Sequence, residues 1–329
     1  MAVPRLLSPR AGAMNLESAP PTEGQLQFVL ATEEDFEEVL AISEGVYEGE
    51  DYLPSRYHTW LREPHRTVVL AKKKGAVIGL LSVCVVDAGE TVLAEGMRVA
   101  PWERGKGVAR ALILFCTQLA QQKHPGVKVL RLTRMDQLGP RDFQKYRLIT
   151  KQGMLQLRFD GPQLLARLRA GGLRPSPVEA LNAAEVRRLV LSPTFQSEVL
   201  PAGTLLQDWQ PYRPRESNLA LLAPRRVRWL ADCKVRPTAV SLCGPPFPIP
   251  LGAGWARLAI DAFGRRAAPL QAQLVRHLRE RLPALGGVVV CQLFLRPGLW
   301  PELAEFCRAG LGLEPAKGYA EQALLEADL

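Results

Sequence analysis

Short apolar runs alternate with amphipathic segments along the first half of the chain, and each kind of run predicts a different element. Runs rich in apolar and β-branched residues predict strands, whereas apolar residues at helical spacing predict helices. Thr32 precedes an acidic turn, which is typical of a helix start. The predicted strands are residues 26–30, 67–71, 77–86, 91–99, 127–133 and 154–159, and the predicted helices are residues 33–43, 55–62, 107–122 and 139–148. This order predicts an α/β domain with a mixed sheet over residues 25–165.

The second half of the chain repeats part of this order. Its predicted strands are residues 255–261 and 287–295, and its predicted helices are residues 267–282 and 300–309. The sequence strand, loop, helix, strand, helix matches that of residues 95–148. Residues 178–329 are therefore predicted to be a diverged second copy of the first fold, and an unrelated α+β domain is the alternative.

Two further segments lack such periodicity. Residues 1–24 contain Pro4, Pro20 and Pro21 and no apolar core, so they are predicted to be a disordered tail without a secretory signal. Residues 166–177 contain two adjacent glycines and two prolines, which predicts a linker between the two domains.

Length and composition favour a protein with two packed domains. A chain of 329 residues exceeds one typical domain, and 47% hydrophobic residues are enough for real cores. No apolar run approaches the ~18 residues of a membrane-spanning helix, so we expect no membrane partner. The six cysteines form no C-x-x-C pair, which favours buried, reduced thiols in a cytoplasmic protein. The four histidines show no metal-ligand spacing, so no metal is predicted.

The net charge of +9 raises the question of a nucleic-acid partner, especially because residues 213–228 are rich in arginine. Aromatic residues make up only 7% of the chain, and no DNA- or RNA-binding motif is present. We therefore expect no nucleic-acid partner and interpret the charge as a solvated cationic face that partly serves an anionic ligand.

The stretch from Met97 to Arg110 carries the clearest chemistry. A strand runs into a turn with Gly105 and Gly107 and then opens a helix, so several backbone N–H groups and a helix N-terminus can face an anion. Glycine has no Cβ, which allows phosphate oxygens to approach the main chain. Arg104, Lys106 and Arg110 add positive charge. The predicted ligand group is a pyrophosphate.

Two phosphate-binding loops are excluded by their own patterns. The dinucleotide motif needs a third glycine where this chain has Arg110, and the nucleoside-triphosphate loop needs a Gly-Lys-Ser/Thr ending that is absent. What remains is Arg-x-x-Gly-x-Ala at Arg104, Gly107 and Ala109. This pattern, after a fourth strand, resembles the coenzyme A loop of the GCN5-related N-acetyltransferase (GNAT) superfamily, and the order of elements over residues 25–160 is similar to that fold.

The resemblance implies acetyl-CoA as co-substrate and assigns roles to two groups of residues. The strand residues Met97, Arg98 and Val99 are expected to line the acetyl-pantetheine arm through their main chain. The pyrophosphate is expected to contact the loop residues Arg104, Gly105, Lys106, Gly107, Val108, Ala109 and Arg110. The second half has Phe263 to Pro269 at the matching loop, without Gly-x-Gly or Gly-x-Ala, so we expect it not to hold coenzyme A.

Removal of an ammonium proton requires a general base, and Glu95 is the first candidate. It alternates with Met97 and Val99, so the three side chains are predicted to share one face of the strand. A charge at a strand end is the alternative for Glu95. Glu90 and Asp87 are weaker candidates because they lie in a turn.

A general acid is expected near the end of the fourth helix, where many GNAT relatives have Tyr-x-x-x-Gly-Phe. This chain lacks that pattern. Phe143 cannot donate a proton, whereas Tyr146 can, so Tyr146 is the candidate acid. A water molecule or the thiolate itself remains an alternative.

The loop between the first two helices usually sets the substrate in this superfamily. Here it carries Tyr47, Glu48, Glu50, Asp51 and Tyr52. Three carboxylates and two aromatic rings favour a small cationic amine, and a solvated acidic loop is the alternative. An amino-acid substrate would also need a cation for its carboxylate, which Arg98, Lys145 or Arg147 could supply.

The organisation of the whole chain resembles the histidine N-acetyltransferase-like proteins of vertebrates. That resemblance implies transfer of acetyl from acetyl-CoA to the α-amino group of L-histidine. Two alternatives stay open: a protein N-acetyltransferase acting on lysine or a chain terminus, and a CoA-binding scaffold without turnover. The sequence does not predict an oligomeric state.

Overall fold

The structure is a computed structural model and describes residues 25–135, 138–171 and 177–329. The predicted tail (1–24) and residues 172–176 of the predicted linker lie outside the described residues. The described chain divides into two compact units. The first contains residues 25–132, 138–147 and 326–329, and the second contains residues 133–135, 148–171 and 177–325. The boundary predicted at residues 166–177 stays a prediction, although residues 166–170 are helical.

The first unit is a sheet with helices on both faces. Its elements are β1 (Gln27–Leu30), α1 (Phe36–Ile42), α2 (Leu53–Arg62), β2 (Arg66–Lys73), β3 (Ala76–Val86), β4 (Thr91–Val99), α3 (Val108–Lys123), β5 (Val129–Arg134) and α4 (Pro140–Phe143). Strands β1 to β4 are antiparallel neighbours, and β4 pairs parallel with β5. The parallel pair requires a crossover, and α3 supplies it.

Helix α3 packs Val108 and Leu112 against β3 at Gly79. Trp60 of α2 packs against β4 at Gly96, on the other face. The apolar faces of these helices and the strands form one core, in which Trp60 and Leu112 are buried. This arrangement fixes the end of β4 between two helices that approach from opposite sides.

The second unit repeats the central part of this topology. Its elements are β6 (Arg147–Asp160), α5 (Gly161–Ala170), β7 (Glu179–Ala180), α6 (Ala183–Val190), α7 (Pro193–Glu198), β8 (Leu205–Gln207), β9 (Gln210–Tyr212), α8 (Glu216–Leu222), β10 (Arg228–Ala231), β11 (Ala239–Cys243), β12 (Phe247–Pro248), β13 (Ala256–Gly264), α9 (Ala267–Arg281), β14 (Val288–Leu295), α10 (Trp300–Leu311) and β15 (Ala320–Asp328). Strands β13 and β14 pair in parallel across α9, as β4 and β5 do across α3. This match supports the predicted second copy.

One predicted element of the first domain is wrong. Residues 139–148 were expected to form a helix, but α4 ends at Phe143 and β6 begins at Arg147. Residues 148–150 are Leu-Ile-Thr, and two of the three are β-branched, which favours an extended chain. The strand predicted at residues 154–159 is therefore the second half of a longer one.

The cysteines form no disulfide, and five of the six are buried. Burial raises the pKa of the Cys116 thiol to about 12, so it stays protonated at neutral pH. No helix in the described part of the chain is long and apolar enough to cross a membrane.

Candidate active site

The loop after β4 has the backbone that an anion site requires. Gly105 and Gly107 have φ angles of 78° and 85°, in the left-handed region that favours glycine. A Cβ at either position would meet no atom of the described protein within 4 Å. The space in front of these glycines is therefore open, which suits the close approach of a ligand.

Helix α3 begins directly after this loop. Its first backbone hydrogen bond runs from Ala111 N to the oxygen of Gly107. The first N–H groups of a helix have no acceptor within the helix, and the helix dipole places partial positive charge there. The amides of Val108, Ala109 and Arg110 stand at this position, as predicted for a pyrophosphate site.

Cations surround the loop, but not all are equally available. Glu103 is buried and forms ion pairs with Lys73 at 3.1 Å and Lys106 at 3.4 Å. The hydrogen bond from Lys73, with a smaller contribution from Lys106, holds the pKa of Glu103 below its ordinary value. Arg104 donates from Nε to the oxygen of Val99 at 3.2 Å, and Arg110 is exposed. Arg104 and Arg110 are therefore better placed than Lys106 to meet a phosphate.

Strands β4 and β5 separate after a short pairing. The pairing covers Thr91 to Leu93 of β4 and Val129 to Arg131 of β5. Strand β4 continues to Val99, six residues beyond the last pair in the described register. A gap between two strands leaves backbone N–H and C=O groups of β4 available to a ligand, which matches the cleft expected for the acetyl-pantetheine arm.

A β-bulge in β4 changes which side chains share a face. Gly96 has a φ of 72°, and the register shifts so that Glu95 pairs with Ser82 whereas Arg98 pairs with Leu80. Ser82 and Leu80 are two residues apart on β3 and point to the same side, so Glu95 and Arg98 do too. The prediction that Glu95 shares a face with Met97 and Val99 is therefore wrong.

Glu95 is held by a buried arginine that the sequence analysis did not single out. Arg66 donates from Nη1 to Glu95 at 2.8 Å and from Nε to Glu63 at 2.8 Å. The side chain of Arg66 is fully buried, and that of Glu95 is 19% exposed. Burial alone would lower the pKa of Arg66, but the charge of Glu95, the largest opposing cause, and that of Glu63 help to raise it. Glu95 therefore lies at the edge of a buried ion-pair cluster.

The acidic loop is organised around Arg98 rather than open to solvent. Arg98 forms an ion pair with Asp51 at 2.7 Å, and both side chains are buried. The rings of Tyr47 and Tyr52 each lie 5.3 Å from the guanidinium carbon. Asp51 also accepts the Leu53 amide at 3.0 Å, which ties this pair to the start of α2. The charge of Asp51 is thus balanced within the protein.

The other two carboxylates of the loop differ in exposure. Glu50 is 4% exposed, whereas Glu48 is exposed. Burial raises the pKa of Tyr52 above its ordinary value, so this phenol stays neutral. Asp51 is paired with Arg98, and the substrate role of the loop stays a prediction.

Tyr146 follows α4 instead of lying on it. Its backbone N–H donates to the backbone carbonyl oxygen of Asp142 at 2.8 Å, and its half-buried ring packs against the core of the first unit. Phe143 is 49% exposed. Three cations were considered for a substrate carboxylate. Arg98 pairs with Asp51 and Arg147 pairs with Glu326, so Lys145 is the one without an ion partner among the described residues.

Comparison with known proteins agrees with this geometry. Residues 32–145 match the Acetyltransferase (GNAT) family, and residues 174–296 match the family described as Histidine N-acetyltransferase, C-terminal. The chain is 59% identical to the human protein named "Probable N-acetyltransferase 16", over 98% of this chain and 89% of that protein. It is 48% identical to the Histidine N-acetyltransferase of Scomber australasicus, over 94% of this chain and 95% of that protein.

A solved structure extends the likeness to both halves. A tandem GNAT protein from the clavulanic acid biosynthesis pathway superposes with a TM-score of 0.55 at 17% identity, over 92% of this chain and 98% of that one. This identity shows the fold alone, and it confirms the predicted GNAT fold with a second, GNAT-like half. The chain belongs to the histidine N-acetyltransferase family and is an N-acetyltransferase of the GNAT type, with acetyl-CoA as its co-substrate.

Proposed function

We propose that this protein transfers the acetyl group of acetyl-CoA to the α-amino group of L-histidine. The observation that carries the proposal is the 48% identity, over nearly the whole chain, to a relative named for that substrate. The first unit provides the parts that the reaction needs: an anion loop, a separated strand pair and a carboxylate beside them.

Binding of the co-substrate is assigned to the loop and the end of β4. The pyrophosphate would meet the amides of residues 107–110 together with Arg104 and Arg110, since both their charge and the helix N-terminus favour an anion. The main chain of Met97 and Val99 would hold the pantetheine arm and donate to the acetyl carbonyl. Holding the thioester beside the amine supplies much of the rate enhancement.

Proton transfer is assigned to Glu95 and Tyr146. Glu95 is partly exposed and is held in place by Arg66, so its carboxylate would accept the ammonium proton directly or through water. Tyr146 would return a proton to the leaving thiolate.

The charge near Glu95 favours an ammonium group. Arg66 contributes one positive charge, and Glu63 and Glu95 contribute two negative charges, so the cluster has a net charge of about −1. The Arg98–Asp51 pair adds no net charge, and its two tyrosine rings offer an aromatic surface to an imidazole. Lys145 is the candidate for the substrate carboxylate.

The second unit is proposed not to bind coenzyme A. The loop before α9 has Arg265 and Arg266 but no Gly-x-Gly or Gly-x-Ala, and Pro269 lacks an N–H in the first turn of the helix. We also place the protein in the cytoplasm, in agreement with its free, mostly buried cysteines.

The test is thiol release from acetyl-CoA by the purified full chain with free amino acids, polyamines and basic peptides. Turnover with histidine, and not with the peptides, is the expected result. Turnover with peptides alone would move the assignment to a protein N-acetyltransferase. Tight binding of acetyl-CoA without turnover on any amine would favour a scaffold.

A further inference from the structure

A single buried guanidinium connects the carboxylate of Glu95 to two other polar groups. Arg66 donates from Nη1 to the hydroxyl oxygen of Ser82 at 2.8 Å, in addition to its bonds to Glu63 and Glu95. Its Nη2 is also buried and makes no hydrogen bond among the described residues. A fully buried guanidinium bonded on two sides has little freedom to move, and the carboxylate that it holds has little freedom as well.

Trp60 closes the third side of this cluster. Its ring lies 4.8 Å from the guanidinium carbon of Arg66, within the range of a cation–π contact. The far edge of the same ring lies against the bulge, because a Cβ on Gly96 would be 2.7 Å from Trp60. Trp60 is only 2% exposed. One side chain therefore touches both the arginine that holds Glu95 and the glycine that follows Glu95.

The bulge decides where Glu95 points, and these two side chains are packed against it. Without the left-handed Gly96, Glu95 and Arg98 would lie on opposite faces of β4, since they are three residues apart. Trp60 fills the space that the missing side chain leaves, while Arg66 binds the carboxylate itself. Backbone and side chain of Glu95 are thus fixed by a pair of neighbouring groups.

We propose that Arg66 and Trp60 are positioning residues for the acetyl transfer: together they hold the β4 bulge and the Glu95 carboxylate in the reactive arrangement. This inference rests on the proposed role of Glu95 as general base. Neither residue needs to touch the substrates. Their effect is expected in kcat rather than in the binding of acetyl-CoA, whose loop begins eight residues after Gly96.

The experiment compares Arg66 with a matched arginine on the same segment of chain. Arg62 is 72% exposed and pairs with Glu33 at 2.8 Å, so Arg62→Lys is the control. The variants are Arg66→Lys, Arg66→Met and Trp60→Phe, with Glu95→Gln alone and combined with Arg66→Met. For each, kcat, both KM values and Tm are measured, and a crystal structure of Arg66→Lys is solved.

Arg66→Lys keeps the charge but not the fork of donors, so we expect kcat to fall on the order of tenfold to a hundredfold. The KM for acetyl-CoA should stay within about twofold, and Arg62→Lys should behave as wild type. Arg66→Met should lower kcat no further in a Glu95→Gln background, because both changes remove one function. The crystal structure should show the Glu95 carboxylate displaced.

Several results would overturn the inference. An Arg66→Lys enzyme with wild-type kcat, while Glu95→Gln is slow, leaves the base in place and removes the positioning role. If Arg66→Met lowers kcat by the same factor in the wild type and in the Glu95→Gln variant, Arg66 acts independently of Glu95. If histidine is not acetylated at all, the proposed function fails, and an unmoved Glu95 in the Arg66→Lys structure then decides against positioning. Trp60→Phe replaces any Arg66 variant that does not fold.

Discussion

Replacement of Gly107 by glutamate is the most direct test of the coenzyme A loop. The φ of 85° costs a residue with a side chain about 1–2 kcal/mol relative to glycine. No atom of the described protein lies within 4 Å of the new Cβ, so no steric cost adds to this in the free protein. The folded state should therefore survive, and the substituted carboxylate should stand where the pyrophosphate is expected.

The loss of affinity follows from charge. A carboxylate about 4 Å from one phosphate charge is repelled by ~1 kcal/mol in bulk water and by ~4 kcal/mol near a protein surface. A pyrophosphate has two such charges, so at least ~2 kcal/mol is lost, which corresponds to about a thirtyfold rise in Kd. Occlusion of the N–H groups at the start of α3 should increase the loss further.

Gly75 provides a matched control for the cost of the backbone. It lies in the turn between β2 and β3 with a φ of 83°, and a Cβ there would also meet no atom within 4 Å. Gly75→Glu should therefore lower Tm about as much as Gly107→Glu but bind coenzyme A as the wild type does, measured by titration calorimetry. A wild-type Kd for Gly107→Glu, or an equal loss for Gly75→Glu, would refute the loop assignment.

Three other predictions concern the active site and the second core. Glu95→Gln should lower kcat by on the order of a hundredfold or more while leaving the KM for acetyl-CoA nearly unchanged, measured by steady-state kinetics. Asp51→Asn leaves the buried Arg98 unpaired and should lower the free energy of unfolding in urea by about 3–5 kcal/mol. Burial lowers the pKa of His277 from 6.5 to about 3. As the pH falls from 6.5 to 3, the histidine is protonated in the unfolded chain but not in the folded protein, so the free energy of unfolding should fall by up to ~1.4 kcal/mol per pH unit. In urea titrations, His277→Gln should remove this contribution to the pH dependence of stability, whereas the exposed His65→Gln should keep it. An unchanged pH dependence in His277→Gln would contradict the lowered pKa of His277.

The elements that the sequence predicted well are those with a strong local pattern. The strand predicted at residues 91–99 has the same bounds as β4, and the helices predicted at 107–122 and 267–282 differ from α3 and α9 by one residue at each end or less. In each case a long amphipathic or apolar segment ends at a residue that cannot continue it, such as Gly107 before α3.

Where long-range contacts decide, local pattern is not enough. The helix predicted over residues 139–148 ends early, at Phe143, and β6 begins at Arg147, because pairing with distant strands outweighs a weak helical periodicity there. The final strand, β15, was not predicted, although it contains several apolar residues. Its local pattern does not identify the strands with which it pairs. These partners lie far away in the chain, as the hydrogen bond from Gln322 to Gln152 shows.

In the candidate site, too, the local motif could be predicted from the sequence and the long-range contacts could not. The loop proposed to bind phosphate is a local motif of six residues, and its two glycines have left-handed φ angles. The group that holds Glu95 joins residues 29 positions apart and could not be found by spacing. A charged residue at the first position of a strand, shortly before its apolar run, was the available signal, as Arg66 is in β2.

Gly96 affects both the course of strand β4 and the position of the proposed base, Glu95. A glycine inside an apolar strand pattern indicates a bulge, and strict alternation cannot be carried across it. One added residue in β4 moves Arg98 to the side of Glu95, so both lie on the face where α2 packs with Trp60. The same irregularity occurs where β4 has already separated from β5, so the strand is free to bend there. The backbone of β4 becomes available where the strand leaves β5, and the bulge anchors the Glu95 carboxylate beside it. The support of this bulge by Arg66 and Trp60 should therefore matter to kcat.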